Sequence, residues 1–130
     1  MTIYGYKRVS TDEQVKGTSL QTQKTIIEGV AKSNLLDENA IVWLEEKGVS
    51  GGKKFFERPV VEEIEFEKGD IIIVAALDRF NRDVVDCLTT VKEFKKRGIS
   101  LLINGHGDVT DDSNIYSTFM MQIMAVFAEF

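Results

Sequence analysis

Apolar positions along the chain fall into short runs separated by longer amphipathic stretches. Residues 2–8 alternate and are rich in Ile and Tyr, which predicts a first strand; Ser10, Thr11, Asp12 and Glu13 follow as a polar loop. Gly17, Thr18 and Ser19 precede a helical pattern carried by Leu20, Ile27, Val30 and Ala31, and Gln23 falls on the same inward stripe. Residues 40–44 read as a second strand. Residues 47–54, with Gly48, Gly51 and Gly52, read as a loop, and Pro59 suits the first turn of a short helix over residues 60–66. Gly69 and Asp70 turn the chain into residues 71–76, a β-branched run typical of a strand buried on both faces. Val84, Cys87, Leu88, Val91 and Phe94 repeat at helical spacing, Lys95, Lys96 and Arg97 suit the negative C-terminal end, and Gly98 is the stop. Residues 99–103 form the next strand. A polar loop over 104–113 leads to a last helix from about residue 114.

Strands alternating with helices predict an α/β fold with a mainly parallel central sheet and helices on both faces. In the last helix Tyr116, Phe119, Met120, Ile123, Met124 and Phe127 fill one face, while Met121, Ala125, Val126 and Ala128 lie elsewhere. Such a helix is either buried within its own domain or part of a subunit interface.

The 130 residues suffice for one domain with its own core, and 43% hydrophobic with 28% charged residues and one proline describes a globular chain. The longest uninterrupted apolar run, residues 71–77, is far below the roughly 18 residues of a membrane span. The N-terminus lacks the apolar core of a signal peptide, so a cytoplasmic location is expected. Cys87 and His106, each the sole residue of its type, cannot furnish an internal disulfide or a zinc site. Sixteen basic against twenty-one acidic residues leave −5, which argues against nonspecific coating of nucleic acid, so any DNA contact is expected to be local or helped by another domain.

Ser10 lies just past the first strand, while Asp78, Arg79 and Arg82 lie just past the buried third strand; in parallel sheets those ends form the crest where ligands bind. Arg8 shares a strand face with Ser10 at the pleat period of two. A hydroxyl beside several guanidiniums suits phosphoryl chemistry, because arginine stays charged and its planar fork matches phosphate oxygens. Taken singly, Ser10 also reads as a capping or turn residue, and Arg79 and Arg82 beside Asp78 and Asp83 as surface ion pairs. His106 reads as a solvated loop residue and Cys87 as core. Asp108, Asp111 and Asp112 crowd one loop, where carboxylates either hold magnesium or shape a solvated turn. Gly48, Gly51 and Gly52 match neither a Walker loop nor a dinucleotide fingerprint, so no nucleotide cofactor is expected.

These residues resemble the serine recombinases, the resolvase, invertase and integrase group of site-specific DNA recombinases, in their catalytic domain. Tyr6, Arg8, Val9 and Ser10 stand as Y-x-R-V-S with Gln14 four positions on, and residues 19–23 resemble the S-L-x-x-Q that follows. Leu77, Asp78, Arg79, Asn81, Arg82 and Asp83 resemble the L-D-R-x-x-R-D block; Ser50 with Gly51 and Arg58 with Pro59 resemble the intervening S-G and R-P. The resemblance spans essentially all 130 residues. It implies that Ser10 is the nucleophile on a DNA phosphodiester, giving a 5′-phosphoserine linkage and a free 3′-hydroxyl. It also implies that Arg8, Arg58, Arg79 and Arg82 surround the phosphate. Asp78 would orient those arginines or handle a proton, and Tyr6, Gln14, Gln23 and Ser50 would support the site. No metal or other cofactor is implied, since the arginines supply the positive charge.

The partners implied are double-stranded DNA and further copies of the chain, as homodimer and homotetramer through the last helix. The family's Glu-Arg pair in that helix comes after a pattern like residues 125–130, so Glu129 is not its glutamate. The rest of that helix and a separate DNA-binding domain are expected outside residues 1–130. An extra basic residue that some members carry in the helix before Gly69 has only Lys68 as a substitute. The spacing between Gln14 and Ser19 resembles the large serine integrases and transposon recombinases. Two other readings remain open on the residues alone: a metal-dependent phosphodiesterase using Asp78 with the Asp108–Asp112 loop, and a non-catalytic oligomerisation module.

Overall fold

The computed structural model describes residues 1–9, 19–49, 52–76, 84–115, 118, 119, 122, 123 and 126. Strand β1 (Ile3–Val9) leads to helix α1 (Ser19–Ser33), strand β2 (Val42–Lys47), the short helix α2 (Pro59–Glu62), strand β3 (Ile71–Val74), helix α3 (Val84–Arg97), strand β4 (Ser100–Ile103) and strand β5 (Gly107–Asp108). The sheet runs β2-β1-β3-β4-β5; the first four strands are parallel and β5 is antiparallel to β4. This is the α/β architecture with a mainly parallel sheet that the alternation of elements predicts.

Two cores flank the sheet, as the pleat requires. One face buries Tyr4, Tyr6, Leu44, Ile72, Val74 and Leu101 against Phe55, Val61, Val91 and Phe94. The other buries Ile3, Ile73 and Leu102 against Ile27 and Ala31 of α1. Cys87 belongs to the first core, and burial pushes its thiol up to about 11. The chain crosses from β1 to β2 on one side and from β3 to β4 on the other. The adjacent C-terminal ends of β1 and β3 therefore flank a topological switch point, the place where a crevice opens in such sheets.

Several boundaries differ from the sequence pattern. The second strand starts at Val42 rather than residue 40, because Glu38–Ala40 forms a 3₁₀ turn held by the Asp37 carboxylate, which accepts from Asn39 N–H at 2.9 Å. It continues through Glu45, Glu46 and Lys47 because pairing with β1 persists to Val9↔Lys47. The helix expected over 60–66 stops after one turn. Ile64 and Phe66 both pack toward the core while Glu63, Glu65 and Glu67 face solvent, a period of two that extended chain satisfies and helix does not. Within the expected loop over 104–113, β5 was hidden by its turn residues; Gly105, at φ +86°, allows the reversal.

Both long helices close with the same hydrogen-bond pattern. At α3, Ile99 N–H donates to Phe94 O at 3.0 Å and Gly98 N–H to Lys95 O at 3.1 Å, with Gly98 at φ +72°. At α1, Leu36 N–H donates to Ala31 O at 2.9 Å and Leu35 N–H to Lys32 O at 3.1 Å. The left-handed position there is held by Leu35 (φ +59°), which is 96% exposed. Among the described residues no helix is long and apolar enough to cross a membrane.

Candidate active site

Tyr6 and Arg8 on β1 are opposite Leu44 and Glu46 on β2, so the pleat turns all four side chains to the α2–α3 face. Arg58 enters the same space from the residue that caps α2, fully buried. Its Nη1 donates to the Tyr6 hydroxyl at 3.0 Å and its Nε to the carbonyl of Lys53 at 3.0 Å. The guanidinium carbon sits 5.6 Å from the ring centroids of both Tyr6 and Phe55. Arg8, 2% exposed, donates from Nη1 to the carbonyl of Val49 at 2.8 Å. Each guanidinium thus grips one carbonyl on either side of Ser50 and Gly51.

Gln23 bolts the end of β1 to α1. Its Oε1 accepts from Arg8 N–H at 3.0 Å and its Nε2 donates to Arg8 O at 2.9 Å. The reason is topological: β3 pairs with β1 only as far as Tyr6, so the main chain of Arg8 lacks a ladder partner on that side and the carboxamide supplies one. The inward position of Gln23 on the α1 stripe is therefore a positioning role. It fixes the backbone of the residue two before Ser10.

Glu46 is the buried acid that the sequence pattern did not single out. It is 2% exposed, and its Oε1 accepts from Val60 N–H at 2.9 Å, at the start of the helix that Arg58 caps. A carboxylate there satisfies an otherwise orphaned helix N–H and balances part of the arginine charge. The available signal was its register: two residues beyond the core Leu44, on the same strand face. Burial pushes the Tyr6 phenol up to about 12, against the opposing pull of Arg58, with Glu46 adding to the rise and Arg8 opposing it. Tyr6 is therefore a neutral hydrogen-bonding group at physiological pH, not a base.

The structure brings Tyr6, Arg8, Arg58 and Gln23 together. Ser10, Gln14, Ser50, Asp78, Arg79 and Arg82 lie outside the described residues. The strands that precede them end on one edge: β1 at Val9 and β3 at Val74 point the same way, paired through Tyr6↔Val74.

A third buried cation, Lys7, was also not foreseen. Lys7 faces the α1 side, its ammonium 2.7 Å from Glu45 Oε1 and 4.8 Å from the centre of the Trp43 ring, and this hydrogen bond holds the Glu45 carboxyl below its ordinary value. That pair is structural and on the opposite face from Arg8. The carboxylates of the 104–113 loop are engaged locally. Asp108 accepts from Thr110 N–H at 2.9 Å, Asp111 from Ser113 N–H at 2.9 Å, and Asp112 pairs with Lys95 at 2.7 Å. Among the described residues no three metal-ligating side chains converge.

The described part of the last helix, Ile115, Thr118, Phe119, Gln122, Ile123 and Val126, exposes an apolar stripe: Ile115 is 86% and Phe119 60% accessible, with Ile123 and Val126 following on the same side. Tyr116, Met120, Met124 and Phe127 lie outside the described residues. For the residues described, burial within the domain is therefore not what their apolar character serves.

Comparison with known proteins gives consistent results. The family model "Resolvase, N terminal domain" matches residues 3–130. The Tn3 resolvase of Escherichia coli is 31% identical over 111 residues, covering 85% of this chain and 54% of the relative, so the chain spans about half the length of such relatives. A resolvase family site-specific recombinase from Streptococcus pneumoniae superimposes with a TM-score of 0.66 at 27% identity, over 99% of this chain and 86% of the other. The N-terminal catalytic domain of TP901-1 integrase shares the fold, with a TM-score of 0.72 at 24% identity over 99% and 95% of the two chains.

Proposed function

This chain belongs to the resolvase family, as a serine recombinase catalytic domain, and from that premise we propose that it cleaves and rejoins duplex DNA through Ser10 in a mobile element or phage. In this reading Ser10 Oγ bonds to the scissile phosphorus as the bond to the 3′-oxygen breaks. The serine proton is lost and the 3′-oxygen gains one. The product is a 5′-phosphoserine ester with a free 3′-hydroxyl. Because the phosphodiester is exchanged for another ester, a 3′-hydroxyl from a partner strand reverses the step without ATP.

The observation that carries the reading is the burial of Arg8 and Arg58 around Tyr6, beside the strand end that precedes Ser10. Burying two guanidiniums is costly, and apolar residues of similar volume hold a core at least as well. Fixed donors at a crest are what a pentavalent phosphorane needs, since they are already oriented when its charge develops. In this reading Arg79 and Arg82, which follow β3 in the sequence, add to the cradle, with Asp78 orienting them or handling a proton. Gln14 and Ser50 support the site by hydrogen bonding. The neutral phenol of Tyr6 and the carboxylate of Glu46 hold Arg58 and its helix in place. The exposed stripe from Ile115 to Val126 supports assembly into dimers and tetramers through the last helix, and specific reading of DNA belongs to residues beyond this domain.

The test is a covalent trap. Full-length protein is incubated with DNA from the junctions of its element in excess chelator, denatured, and assayed for attached DNA. A 5′-linked adduct that forms without metal and is absent in Ser10→Ala supports the reading. Free cleaved ends that appear only with magnesium, and without an adduct, overturn it in favour of the carboxylate alternative.

A further inference from the structure

The arginine pair leaves a feature that the chemistry at Ser10 does not use. Arg8 and Arg58 grip the carbonyls of Val49 and Lys53, at 2.8 and 3.0 Å, and so pin the main chain that carries Lys53 and Lys54. Both lysines are exposed. Their ammonium groups have no carboxylate within ion-pair distance among the described residues, whereas Lys7, Lys95 and Arg97 are each matched by one. In a chain of net charge −5, two adjoining unmatched cations beside a buried arginine pair form a local positive margin. Beyond α2 the surface reverses sign, since Glu62, Glu63, Glu65 and Glu67 are all exposed. A polyanion held at the arginines is drawn toward the lysines and repelled from the glutamates.

We propose that Lys53 and Lys54 contact backbone phosphates adjoining the one held by the arginines, fixing the direction in which the DNA strand leaves the site. This rests on the phosphoryl-transfer reading and adds to it the residues that bind the flanking strand. Because Arg58 holds Lys53 through its main-chain carbonyl, the lysine side chains are removable without disturbing that hydrogen bond.

The experiment compares the full-length protein with K53Q/K54Q and, as a control, K92Q/K96Q on the exposed side of α3. Affinity for a fluorescent duplex of the element junction is followed by anisotropy from 50 to 200 mM KCl. Each lost phosphate contact flattens the slope of log K against log salt by about 0.9, so K53Q/K54Q is expected to lose about 1.8 and the control nothing. The covalent trap at 150 mM KCl is expected to give several-fold less adduct with K53Q/K54Q. Melting followed by far-ultraviolet circular dichroism is expected to stay unchanged. A slope and adduct yield equal to wild type, or a slope loss shared by the control, overturns the proposal. If the wild-type protein forms no adduct, the Ser10 reading fails, while the slope comparison still decides whether these lysines bind phosphate.

Discussion

Gln23→Leu tests whether the clamp on Arg8 organises the crest. Leucine nearly preserves the volume of the buried side chain and removes both hydrogen bonds, 3.0 Å to Arg8 N–H and 2.9 Å to Arg8 O. Both main-chain groups then lie buried beyond the reach of β3, whose pairing with β1 ends at Tyr6. Leaving a buried polar group unsatisfied costs about 1–3 kcal/mol, so two cost about 2–6 kcal/mol together. For a domain of this size that is a fall in Tm of about 10 °C or more, read by thermal unfolding through Trp43 fluorescence and far-ultraviolet circular dichroism. Adduct formation by the full-length protein is expected to fall as well, since the strand end before Ser10 loses its anchor. Gln23→Glu separates the two bonds. Its carboxylate still accepts from Arg8 N–H but opposes Arg8 O, whereas the protonated acid donates to that carbonyl. The native state therefore raises the pKa of the introduced carboxyl, and stability relative to wild type is retained at low pH and lost as pH rises through that value. A Tm for Gln23→Leu within about 3 °C of wild type refutes the clamp, because solvent must then be satisfying Arg8.

Tyr6→Phe is expected to flatten the alkaline limb of stability. The phenol titrates at about 12 in the fold against 10.0 ordinarily, so the native state retains its proton between those values and the wild type loses about 2–3 kcal/mol across that window; urea unfolding at pH 9 to 12 measures the difference, and equal slopes for both proteins count against it. Leu35→Gly is expected to stabilise by about 0.5–1 kcal/mol, since it relieves a left-handed leucine that packs against nothing, and an unchanged urea midpoint contradicts that. Gly5→Ala places a Cβ 2.6 Å from Trp43 Cζ3 and 2.9 Å from Ile41 Cγ2, so a loss of about 1–3 kcal/mol with a shift in tryptophan emission is expected. Unaltered emission shows instead that the ring has room to move.

Much of the site was legible because its chemistry is written in local order. Arg8 falls on the Tyr6 face of β1 by the pleat period alone, Gln23 falls on the inward stripe of a helix by its 3.6-residue period, and Pro59 marks the helix start that Arg58 caps. Glu46 was not legible, because a charged pair at the end of a strand reads equally as solvated surface. Only the register Arg8↔Glu46 and the approach of Val60 N–H make it a buried acceptor. Lys7 was hidden for the same reason, since its burial depends on Trp43 and Glu45 from a neighbouring strand.

The sequence by itself determined the alternation of strand and helix, the two-sided burial of residues 71–74, the Gly98 stop and the motifs that carry the family resemblance. These depend on periodicity and backbone preference within a few residues, where local energies dominate. Only the tertiary structure decided the strand order β2-β1-β3-β4-β5, the union of Tyr6, Arg8, Glu46 and Arg58 in one buried cluster, and the carbonyls those arginines hold. Arg58 is fifty-two positions from the hydroxyl it contacts. No local preference specifies such a pairing; it exists because the sheet closes and buried charges must find their partners across it.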